Sequence, residues 1–101
     1  MNRISFVSAF VFMLATTVTN AGVEEGIAAL QRGDYATAIR ELRPLAEQGH
    51  ADAQVYVGLM YGLGQGVAKD HAEAVKWFRK AADQGNATAQ YGLGEIGRAH
   101  V

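Results

Sequence analysis

The sequence predicts an all-α chain built as a solenoid of helix pairs, and three observations carry that prediction. Residues 34–58, moved forward by 36, fall without a gap on residues 70–94, and 11 of the 25 pairs are identical. A period in the thirties marks paired-helix units, each of which buries its apolar face against the next. Each half of the period also carries apolar residues at helical spacing between a capping residue and a stop. Finally, 12 Gly stand against one Pro, a ratio that suits spaced turns between helices better than a disordered linker.

Five helices are expected, near 22–32, 34–48, 50–62, 70–84 and 86–96. The first ends at Gly33-Asp34, which joins it directly to the second. In the second, Tyr35, Ala38, Ile39, Leu42, Leu45 and Ala46 share the inward face, and Gly49 is the stop. Pro44 is the misfit, because proline inside a helix removes a hydrogen bond and crowds the preceding turn, so a local bend is expected there. The third uses Ala53, Val57, Gly58 and Tyr61 as its structural positions. The fourth opens with Asp70 as N-cap and Glu73 three residues on, a capping-box arrangement. Its inward face is Ala74, Val75, Phe78, Ala81 and Ala82, with Trp77 at the edge, and Gly85 terminates it. The fifth begins at Asn86, which occupies the slot of His50 in the earlier copy and reads as an N-cap.

Residues 1–21 have the three parts of a signal peptide: Arg3 at a positive start, an apolar stretch from Ile4 to Ala15, and small residues Thr19 and Ala21 before a cleavage point. The apolar stretch is too short for a membrane anchor, which needs about 20 residues. Cleavage after Ala21 and export to the periplasm or beyond are expected. About 80 residues then remain, enough for one modest core.

Around the third and fourth helices a pattern emerges: Ala53-Gln54, Val57-Gly58, Tyr61, Gly64, Gly66-Val67, Asp70, Ala74, Trp77, Ala81-Ala82 and Gly85 stand in fixed order and spacing. It closely resembles the Sel-1-like repeat, a relative of the tetratricopeptide repeat with a longer glycine-containing turn. The resemblance implies a right-handed solenoid. It also implies a bacterial setting and a protein or peptide partner held on the concave side, which the first helix of each pair tends to line. On this reading 22–49 is a tetratricopeptide-like amino-terminal cap pair, 50–85 the Sel-1-like repeat, and 86–94 the start of a second repeat. The remaining heptapeptide, Glu95-Ile96-Gly97-Arg98-Ala99-His100-Val101, matches the translation of a common sequencing adapter up to its stop codon. Residues 95–101 are therefore expected to be an artefact and the native protein to continue with further repeats.

Composition narrows the function. Nine Lys and Arg against ten Asp and Glu give a net charge of −1, which argues against a nucleic-acid-binding face. There is no Cys, so disulfides, thiolate metal sites and Cys nucleophiles are excluded. No Ser follows the leader, which excludes a Ser-His-Asp triad in the mature chain. His50 and His71 have no neighbouring ligand to complete a metal set and read as solvated or capping. Gly92-Leu93-Gly94-Glu95-Ile96-Gly97 is a literal G-x-G-x-x-G, but it lacks the preceding strand that a dinucleotide turn requires. No catalytic residue, cofactor, metal, nucleic acid or stable membrane insertion after leader cleavage is expected. Two function classes stand: a non-enzymatic adaptor that binds a protein or peptide, and the targeting arm of an exported hydrolase or cell-wall enzyme whose catalytic domain lies in the missing part. For the binding surface the third helix offers Val55, Tyr56, Leu59 and Met60 beyond its structural positions. Tyr56 is the best anchor, combining apolar area with a hydroxyl.

Overall fold

The computed structural model describes residues 22–99, which form five successive helices and, among the described residues, no strand. These are α1 over 22–31, α2 (Tyr35–Glu47), α3 (Ala51–Leu63), α4 (His71–Asp83) and α5 (Ala87–Ala99). Every expected helix is present, with its ends within three residues of the expected bounds. The signal-peptide expectation lies outside the described residues. Of the expected adapter tail, only 95–99 are described, as the last part of α5.

Capping residues set the helix starts. Asp34 accepts a hydrogen bond from the Thr37 amide at 3.3 Å and Asp70 one from the Glu73 amide at 3.1 Å. Asn86 does the same for the Ala89 amide at 2.9 Å, as expected of an N-cap. Hydrogen bonds from the Thr37 side chain and backbone hold the Asp34 carboxyl below its ordinary pKa. His50 departs from the expectation. It occupies the N-cap of α3 but makes no capping bond, and its Nδ1 is buried without a partner. Pro44 is exposed on α2, and the helix continues through it to Glu47.

Each helix packs on its successor, α2 on α3, α3 on α4 and α4 on α5. Leu42 lies so close to α1 that a Cβ on Gly26 would come within 2.4 Å of its side chain. The centre of the stack is α3, with Ala53, Gln54, Val55, Val57, Gly58, Met60 and Tyr61 all buried. Leu42, Val57 and Met60 are the largest side chains fully removed from solvent, each contributing about 1.5–3 kcal/mol through apolar burial. Trp77 is 5% exposed, as its packing role requires, with the Lys80 ammonium 4.8 Å from its ring centroid.

One polar group lies inside this core. Gln54 is 3% exposed and donates to the Ala46 carbonyl at 3.1 Å. Its own carbonyl accepts from the Gln84 amide at 3.0 Å, and that amide also reaches the Gly49 carbonyl at 2.9 Å. Two consecutive helix pairs are thus joined through a satisfied buried amide rather than by apolar contact alone.

The α3–α4 loop carries the two glycines of the Gly-x-Gly-Val sequence. Gly64 caps α3 at φ +71 and Gly66 follows at φ +75, a region costly for any residue with a Cβ. Their role is the expected one, turning the chain between helices. The loop is also pinned to the cap pair, since Gln65 donates to the Tyr35 hydroxyl at 3.3 Å.

Candidate functional site

The first helices of successive pairs, α1, α3 and α5, meet along one side of the molecule. Between α3 and α5 runs an apolar groove of about 450 Å³, with Leu59 and Leu63 on one wall, Tyr91 and Gly92 on the other, and Phe78 of α4 beneath. A second hollow of about 270 Å³ shares Val55, Leu59 and Thr88 with it and extends to Ile27 of α1, past Tyr56 and Asp52. The two make one continuous surface across three helices.

Exposure singles out this surface. Leu59, Leu63 and Tyr91 are the exposed large apolar residues among those described, at 40%, 64% and 70%, and all three line the larger groove. Scattered apolar residues on a surface need no explanation, but three converging on one hollow make it the candidate interaction site.

The four residues expected to face a partner divide. Leu59 is exposed and Tyr56 half-buried, both on the groove surface. Met60 and Val55 correct the expectation of availability: Met60 has no exposed surface and Val55 only 5%. Helix α3 is enclosed on more sides than an amphipathic reading allows, so its apolar residues outside the repeat positions also enter the core. Val55 keeps a place on the groove floor, whereas Met60 lines neither hollow. Leu63 and Tyr91 went unforeseen. Tyr91 is the counterpart of Val55 under the 36-residue shift, and that equivalence could have drawn attention to it.

No three His, Asp or Glu side chains gather among the described residues in a way that could hold a metal ion. Among the same residues, no helix is long and apolar enough to cross a membrane. The G-x-G-x-x-G of 92–97 lies within α5, so it forms no strand-to-helix turn.

Stacked helix pairs joined by a glycine turn, with an apolar hollow along the first helices, define a helical-repeat protein. Residues 51–86 match the Sel1 repeat family model. The fold is similar to the crystal structure of a Sel1 repeat protein from Oxalobacter formigenes, with 44% sequence identity and a TM-score of 0.58. That similarity covers 60% of this chain and 25% of the Oxalobacter chain, so the present sequence spans about a quarter of its relative. A search of the curated proteins finds no match. Residues 51–86 are thus similar to a Sel1 repeat, a family of protein–protein interaction modules.

Proposed function

We propose that the protein is a non-enzymatic adaptor of the bacterial periplasm or exterior, which holds a protein or peptide in the groove between α3 and α5. The observation that carries this reading is the convergence of Leu59, Leu63 and Tyr91 on one hollow. Tyrosine and leucine at a hollow supply anchor area, and helix-pair arrays bind through extended surfaces of this kind.

A peptide-phage selection against the immobilised protein tests it. Selected peptides are expected to lose about 2 kcal/mol or more of binding on Leu63→Ser combined with Tyr91→Ser. Arg43→Ser, at the far side of the molecule, should leave binding unchanged. Circular dichroism should show the helix content retained, since both groove residues are exposed. Undiminished binding by the double variant would refute the groove.

The compartment follows from residues 1–21. Expressed in a Gram-negative host, the chain should be recovered from the periplasm with Gly22 as its first residue by intact-mass measurement. Recovery of the unprocessed chain in the cytoplasm would refute export.

A further inference from the structure

We infer that the groove selects a cationic apolar segment, one presenting Lys or Arg beside the apolar side chains that enter it. This inference rests on the groove reading above and adds the chemical class of the occupant.

The warrant is a segregation of charge between the two layers of helices. On the second helices of the pairs lie Arg40, Arg43, Lys76, Arg79 and Lys80, five cations on α2 and α4 against four carboxylates. The first helices α1 and α3 have no Lys or Arg and carry Glu24, Glu25 and Asp52. On α5, Glu95 and Arg98 pair with each other at 3.2 Å and cancel. Asp52 lines the smaller hollow, its carboxylate accepting from the Asn86 amide at 3.3 Å, while Glu95 of α5 and His71 of α4 line the larger one. Glu24 is exposed one turn before Ile27, which lines the smaller hollow from α1, so the two share a helix face.

The groove side is thus apolar in its floor and anionic at its edge, while the cations stand on the other layer. Opposite charge on an incoming segment gains attraction at this rim, and like charge is rejected. That asymmetry selects partners more strongly than it raises affinity.

Two synthetic peptides of one apolar composition test the inference, one bearing lysines and the other glutamates at the same positions. Each is titrated into the full-length chain by fluorescence anisotropy. At low ionic strength the lysine peptide should bind about tenfold or more tighter, and the ratio should shrink in high salt, where charges are screened within about 3 Å at 1 M. Asp52→Asn should weaken the lysine peptide several-fold and tighten the glutamate peptide, since both the attraction and the repulsion at that position are lost. Leu63→Ser combined with Tyr91→Ser should weaken binding of the lysine peptide. Equal affinities that both fall with the double variant would overturn the charge inference and leave the groove standing. Lysine-peptide binding untouched by the double variant would place the site elsewhere and overturn both. Failure of the lysine peptide to bind would also overturn the inference, and the phage selection then decides the groove reading separately.

Discussion

Phe78→Ala is expected to destabilise the fold by about 3–5 kcal/mol, a large share of what a domain of this size possesses. The ring is 3% exposed and lies against the backbones of two other helices. A Cβ on Gly58 of α3 would sit 3.2 Å from it, and one on Gly92 of α5 would sit 3.4 Å away. Removing it empties the place where α3, α4 and α5 converge, and the glycines on either side have no side chain to fill the void. Urea unfolding followed by circular dichroism should show the midpoint falling sharply in Phe78→Ala. A midpoint within about 1 kcal/mol of the parent's would show that the helices close over the gap. The same substitution should deepen the groove, because Phe78 also forms its floor.

Gly66→Val is the second large effect, at about 2–4 kcal/mol. Two independent costs add. The residue sits at φ +75, where a side chain costs roughly 1–2 kcal/mol. Its Cβ would also stand 2.7 Å from the Tyr35 carbonyl oxygen. That neighbour is backbone and cannot rotate away, so the loop or α2 has to shift, as in an overpacked site. Thermal melting of Gly66→Val beside Gly85→Ala separates the costs. Gly85 has φ +86 and open space around the Cβ position, so Gly85→Ala carries the conformational cost alone. Equal losses in the two variants would show that the contact with Tyr35 is unimportant.

The helices were legible because their punctuation is local. Asp34, Asp70 and Asn86 each cap the helix that follows through a bond three residues away, and such bonds can be read from spacing. The surface was less legible because it depends on what lies across the groove. Val55 and Tyr91 occupy equivalent repeat positions, yet one is 5% exposed and the other 70%. Val55 stands on the hollow that α5 closes with Thr88, while Tyr91 stands on the last described helix. Nothing in their local spacing distinguishes them. Met60 went wrong for a related reason. Around α3 the apolar residues have no single face, and periodicity gives no means to separate core from surface where the whole circumference is apolar. His50 reads from its place at a helix start as solvated or capping, but its imidazole makes no capping bond and its Nδ1 is buried by contacts that local spacing does not reveal.

The buried Gln54 amide bears on how such a protein can grow. Gln84 is the repeat counterpart of Gln48, and Gln54 of Gln90. Across the junction between the first two helix pairs Gln54 reaches the Ala46 carbonyl, and the 36-residue shift gives Gln90 and Ala82 the same spacing at the next, with Gln90 exposed on α5. Copying a block of 36 residues preserves both halves of the link at each new junction. A copy that lost its glutamine would leave the facing carbonyl unmet inside the core, at a cost of about 1–3 kcal/mol. Duplication of a whole unit thereby brings its own joint with it, and each added unit extends the stack without redesign of the contacts between pairs.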